Sequence, residues 1–167
     1  MFRFIFQFGA VSVVFLFSAI AAWYEGSALL DHPSEWKNTT PFTQLFYGPV
    51  QSDVDILQWD FFIYAAKYQT TYPMIMLISG LYLLLFCGYY IFKRVKKWYA
   101  YYLFWLSGSL FLLCYFHFDS STGEGYKMFV LLATCASFCF LSGLITYLTA
   151  SLKAKRMTSK KIVDLGE

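Results

Sequence analysis

Four apolar runs, Phe4–Tyr24, Tyr72–Phe92, Tyr99–Phe118 and Met128–Leu148, hold no Asp, Glu, Lys or Arg before their edges. A helix rises about 1.5 Å per residue, so a run of about 20 residues covers the roughly 30 Å hydrocarbon core of a bilayer. The pattern predicts an all-α membrane protein, a four-transmembrane-helix bundle formed by a single membrane domain over residues 1–167. The polar intervals between the runs differ in kind. Lys93 to Lys97 is too short for anything but a hairpin turn, and Asp119 to Gly125 has the glycines and hydroxyls of a compact turn. Residues 25–71 form the one sizeable segment outside the membrane, and a tail follows at 149–167.

Two textures divide the outer segment. Glu25 to Gln51 contains Pro33, Pro41 and Pro49 and is expected to be irregular with short helical pieces. Ser52-Asp53-Val54-Asp55 offers cap oxygens and acids, and Ile56 to Gln69 then runs without Gly or Pro. That stretch predicts a short helix, too short to span, lying near the outer interface or over the mouth of the bundle. Trp36, Phe42, Phe46, Tyr47, Trp59 and Phe62 give the segment enough aromatic area for a small cap and are the candidate partner surface.

Charge fixes an orientation. Ten of the 13 Lys and Arg residues fall on one side of the runs and eight of the 10 acids on the other. The basic side holds Arg3, then Lys93, Arg94, Lys96 and Lys97, then Lys153, Lys155, Arg156, Lys160 and Lys161. The positive-inside rule makes that side cytoplasmic, giving a multi-pass cell-membrane protein with both termini inside. Lys93, Arg94, Lys96, Lys97, Lys153, Lys155 and Arg156 are the expected lipid-headgroup contacts. These short clusters accompany no recognised nucleic-acid motif, so nucleic acid is not an expected partner. Ala19-Ile20-Ala21 has the form of a signal cleavage site. The length of the first run and its closing Trp23-Tyr24 pair favour a retained anchor. The charged tail after Leu152 is expected to fray.

Candidate chemistry is sparse. Cys87, Cys114, Cys135 and Cys139 all lie inside apolar runs, where small apolar packing is the expected role. In the last run Cys135, Cys139, Ser142 and Thr146, with Ala136 and Gly143 alongside, make a small-residue stripe suited to close helix packing. His32 and His117 match no ligand spacing, and no phosphate loop or catalytic triad pattern is present. No cofactor, metal or catalytic residue is therefore expected. The runs also lack the ionisable groups of ion and proton pathways. The leading expectation is a non-enzymatic accessory or partner-binding protein, meeting membrane lipids and another membrane or envelope protein through its outer aromatic segment. The alternative is a small carrier or permeability factor for an apolar or lipid-like substrate.

One stretch carries a family likeness. Trp36-Lys37-Asn38-Thr39-Thr40-Pro41-Phe42-Thr43, Asp55-Ile56, Phe62-Ile63-Tyr64-Ala65-Ala66-Lys67 and Pro73-Met74-Ile75-Met76 resemble a family of small membrane proteins of Bacillus and relatives. That family is catalogued as a domain of unknown function. The resemblance covers roughly residues 20–92 and implies a bacterial plasma-membrane protein without supplying an activity, a ligand or a catalytic residue.

Overall fold

A computed structural model of the chain describes residues 2–117 and 123–164, with side chains for 4–115, 123 and 125–154. Every regular element among them is helical: α1 (Phe2–Gly26), α2 (Trp36–Thr39), α3 (Pro41–Tyr47), α4 (Gln58–Tyr68), α5 (Thr71–Phe92), α6 (Lys96–His117) and α7 (Gly123–Asp164). Three short 3-10 turns, Ser27–Asp31, Pro33–Glu35 and Asp53–Asp55, complete the outer segment. Among the described residues, three stretches are long and apolar enough to cross a membrane: Phe4–Asp31, Thr71–Phe92 and Gly125–Ala154. The third of the four expected spans forms α6, whose first half is crowded with Trp98, Tyr99, Tyr101, Tyr102 and Trp105. Such rings favour the headgroup level and weaken a hydropathy signal. The expected turn at Asp119 to Gly125 lies largely outside the described residues.

The chain divides into two compact units, Met1–Leu83 with His117–Leu131 and Leu84–Phe116 with Leu132–Glu167. In the first, α4 and the start of α5 run antiparallel to α1. Gly26 lies so close to the backbone of Phe61 that an added Cβ would sit 2.1 Å from the Phe61 carbonyl oxygen. Further along, Phe17 and Tyr72 meet edge to face with ring centroids 6.3 Å apart. Further still, the Gln7 amide donates to the Tyr82 hydroxyl. From Phe17 to Gln7 and from Tyr72 to Tyr82 the two helices keep step. Between Gly26 and Phe17 the partner strand of helix uses two more residues than α1 does. The non-helical pair Gln69-Thr70 takes up that excess.

Small side chains make this approach possible. Ser18, Ala22 and Gly26, one turn apart on α1, are buried, and so are Ala65 and Ala66 on α4. The helix expected over 56–69 is therefore present but docked lengthwise on the C-terminal end of α1. Its start differs from expectation as well. Ser52 and Asp55 do form a capping box, with Ser52 Oγ 2.8 Å from Asp55 Oδ2, but the box closes the Asp53–Asp55 turn. Ile56 and Leu57 are extended, and α4 begins at Gln58. Pro73 stands in the first turn of α5, where a missing N–H is harmless, and the Met74 N–H closes on the Thr70 carbonyl at 2.9 Å.

The second unit is built on α6 and α7. Ala100, Leu103, Ser107, Leu110 and Cys114 are buried at alternating three- and four-residue spacing, facing Leu132, Ala136, Cys139 and Gly143. Ser107 Oγ donates to the Ala136 carbonyl at 2.9 Å. The Gly143 Cα lies under Leu103 and Phe104, whose nearest atoms are 3.3 Å from an added Cβ. The expected stripe thus keeps Cys139, Ala136 and Gly143 at its centre, while Cys135, Ser142 and Thr146 stand half-buried at its flank. The tail also departs from expectation, because α7 continues as helix through Asp164. From Ser151 to Asp164 the chain has no Gly or Pro and carries four Lys besides Leu152, Ala154, Arg156 and Met157, all good helix formers.

Candidate functional site

Residues 25–71 build a cap around a small apolar centre of Leu29, Ile56, Phe61 and Tyr64, with Ala28, Trp36, Val50 and Tyr68 packed on it. Trp36 belongs to this centre, and its indole N–H donates to the Leu29 carbonyl at 2.9 Å. A buried indole needs such an acceptor. Trp36 is half-buried, with its indole turned into this centre.

Asp60 ties the cap together. Its side chain is fully buried, and each carboxylate oxygen is answered by the start of α3. Oδ1 accepts the Phe42 N–H at 3.0 Å; Oδ2 accepts the Thr43 N–H at 2.9 Å and the Thr43 hydroxyl at 2.5 Å. The Thr43 hydroxyl in turn accepts the Leu57 N–H at 2.8 Å. An unpaired buried carboxylate would cost several kcal/mol. Here the amino end of a helix supplies its donors, and the helix dipole favours the negative charge. Nothing local in the sequence announces this role, since Asp60 in the first turn of α4 reads as an ordinary dipole-matched acid.

Gln44 closes the next turn, its amide donating to the Lys37 carbonyl at 2.8 Å and reaching Thr40 Oγ1 at 3.1 Å. On the other flank, the Tyr68 hydroxyl donates to a Glu35 carboxylate oxygen. Tyr68 packs at a tilt against Tyr64 with ring centroids 4.8 Å apart, and Tyr64 stacks on His32. Burial, helped by the bond to Glu35, pushes the Tyr68 phenol up to about 12. Burial first, then the negative charges of Glu35 and Asp31, raise Tyr64 as well.

With the polar groups turned inward, apolar ones are left outside. On α3, Leu45, Phe46 and Tyr47 are 76%, 69% and 72% exposed, and Phe42 is also exposed. Trp59 is 68% exposed and Val54, at the tip of the Asp53–Asp55 turn, 87%. Phe62 is half-buried. Of the six expected surface aromatics, four are outside, on α3 and at the start of α4. Leu45 and Val54 join them, missed because neither is aromatic.

The basic residues named above lie in the α5–α6 turn, at the start of α6 and within α7. Lys93 and Arg94 form the α5–α6 turn, with Lys93 Nζ over the Tyr90 ring at 4.2 Å, and Lys96 and Lys97 open α6. Cations in the first turn oppose the helix dipole, so their place is not set by helix stability. Lys153 is exposed on α7; the side chains of Lys155 and Arg156, like those of His117 and Glu124, and all of Asp119, lie outside the described set. Among the described residues no group of three or more His, Cys, Asp or Glu could hold a metal ion.

These features define an all-helical protein with several helices of membrane-crossing length and a compact helical cap between the first two. The chain belongs to the family described as Domain of unknown function (DUF4306), whose match covers residues 5–92, from α1 through the cap to the end of α5. It is similar to the Uncharacterized protein YjdJ of Bacillus subtilis (strain 168), at 41% identity over 80 residues, 47% of this chain and 73% of that protein. No solved structure matches.

Proposed function

We propose that this chain is a non-enzymatic plasma-membrane protein that crosses the bilayer four times, through α1, α5, α6 and α7, with both termini cytoplasmic. Its working part is the outer cap, which meets another membrane or envelope protein as an accessory or partner-binding element. The observation that carries this reading is the tip of the cap. Val54 and Trp59 are strongly exposed while the apolar pair Ile56 and Leu57 between them is drawn inward, and a capping box stiffens the Asp53–Asp55 turn. Fixed, exposed apolar side chains on a small rigid element suit recognition, because little ordering entropy is lost when they bind. The tip acids Asp53 and Asp55 accept from neutral donors only, the Val54 N–H and Ser52. On the opposite side of the membrane, Lys93, Arg94, Lys96, Lys97, Lys153, Lys155 and Arg156 contact anionic headgroups at the inner leaflet.

Photo-crosslinking in growing cells tests the proposal. A photoreactive residue at Val54 or Trp59 should give a discrete protein adduct, weakened when the other position is changed to Ser. Reporters fused after Ser52 and after Lys97 should report outside and inside respectively. Recovery of the chain without any adduct across growth conditions, or a cytoplasmic signal from the Ser52 fusion, would overturn it.

A further inference from the structure

Helix α3 is built inside out, and the remaining exposed surface of the cap follows from it. Its polar side chains, Thr43 and Gln44, face the protein and are consumed by Asp60, Lys37 and Thr40, while Phe42, Leu45, Phe46 and Tyr47 face away. Its backbone needs little from water either. Pro41 has no N–H, the next two donors go to Asp60, and the Gln44 N–H bonds the Thr40 carbonyl at 3.0 Å. At the helix start the N–H groups of Phe42, Thr43 and Gln44 are thus bonded within the protein, and Pro41 has none to leave over. Such self-sufficiency is what a lipid surrounding demands of a backbone.

Height along α1 supplies the second argument. Asp60, which holds the start of α3, directly precedes Phe61, whose backbone touches Gly26 and whose ring lies 6.4 Å from that of Trp23. Trp23 and Tyr24 are the amphipathic pair that ends the apolar run of α1, and both are exposed. The start of α3 is therefore held within about one helical turn, roughly 5 Å, of the level where α1 leaves the hydrocarbon. Nothing in Pro41–Tyr47 is charged.

We infer that α3 is a lipid-bedded foot of the cap, with Phe42, Leu45, Phe46 and Tyr47 seated among the headgroups and upper acyl carbons of the outer leaflet. This rests on the membrane reading proposed above, and it assigns α3 to lipid while Val54 and Trp59 remain for a protein partner. Because the foot carries no basic residue, its seating does not depend on anionic lipid, unlike a basic amphipathic helix.

The full chain in phosphatidylcholine nanodiscs, with and without phosphatidylglycerol, tests this. A photoreactive p-benzoylphenylalanine is placed singly at Leu45, Phe46, Ile20 on the exposed side of α1, or Val54, and intact mass after illumination is read for the added mass of one phospholipid. Lipid adducts at Leu45 and Phe46 at yields comparable to Ile20, far above Val54 and equal in both lipid compositions, are expected. Adducts at Ile20 but not at Leu45 or Phe46 would overturn the foot and leave the membrane reading standing. Their absence at Ile20 too would overturn both, as would a protein adduct in cells at Leu45 in place of lipid for the foot alone. Leu45→Ser with Phe46→Ser should keep the cap folded, since neither side chain is buried, and should lower the lipid adduct yield at Phe42.

Discussion

The hydroxyl of Thr43 and the carboxylate of Asp60 meet at 2.5 Å, both fully buried, and the same hydroxyl accepts the Leu57 N–H. Two short helices that are separate in sequence thereby share one polar junction. Removing the carboxylate in Asp60→Ala strands two backbone donors and a hydroxyl. Hydrogen bonds to a charged group contribute about 1.5–3 kcal/mol each, with strong non-additivity, so a loss of about 3 kcal/mol in cap stability is expected. Amide exchange at Phe42 and Thr43 in detergent should accelerate accordingly, and Asp60→Asn, which retains one acceptor oxygen, should fall between.

Gly26 is required for its lack of a side chain, since its backbone is ordinary right-handed helix with φ −66°. A methyl there would overlap the Phe61 carbonyl, and backbone cannot swing aside as a side chain does. Gly26→Ala should expose the cap to protease at Gln69-Thr70, although Ala is the better helix former by about 1 kcal/mol. Gly9→Ala, with open space around it, serves as the control and should be neutral or slightly stabilising.

In the second unit, Gly88 and Tyr102 form a similar pair with a different outcome. An added Cβ at Gly88 would meet ring atoms of Tyr102 from 2.2 Å, and the Tyr102 hydroxyl donates to the Leu84 carbonyl at 3.0 Å. Here the obstacle is a side chain. Gly88→Ala alone should destabilise by about 1–3 kcal/mol, and the double variant with Tyr102→Leu should recover part of it, measured as a coupling energy in thermal unfolding.

Alkaline titration should find Tyr68 late. Burial and the Glu35 bond favour its neutral form in the folded cap, moving it from 10.0 to about 12. A phenol whose folded value is raised contributes stability that is complete below pH 10 and disappears as pH climbs through 12. Labelled-tyrosine NMR should show the Tyr68 ring titrating well above the ordinary phenol value of 10.0. Glu35→Gln should bring it only part of the way down, because burial is the larger cause.

How far the residues announced all this depends on the range of the interaction. Apolar runs are local, and the helices formed where the runs are. The Lys93–Lys97 turn was legible because nothing longer fits between two runs. Ser52 and Asp55 were legible as a cap, since their partners are three residues apart, yet the extended Ile56-Leu57 pair separates that cap from α4. Asp60 was opaque because its partners stand 17 and 18 residues away. Trp36 looked like surface for the same reason: only the folded cap shows an acceptor for its indole at Leu29. The inversion of α3 followed from these distant bonds and could not be read from Pro41–Tyr47 alone.

The lengthwise seam between α1 and the α4–α5 pair has a mechanical consequence. A pull on Val54 or Trp59 along the direction of α1 loads that seam lengthwise, so contacts from Gly26 down to Gln7 resist together in shear. A cap hung from a flexible loop would instead peel open one contact at a time. The cap of this protein is braced against its first helix, and tension at its tip is carried along α1.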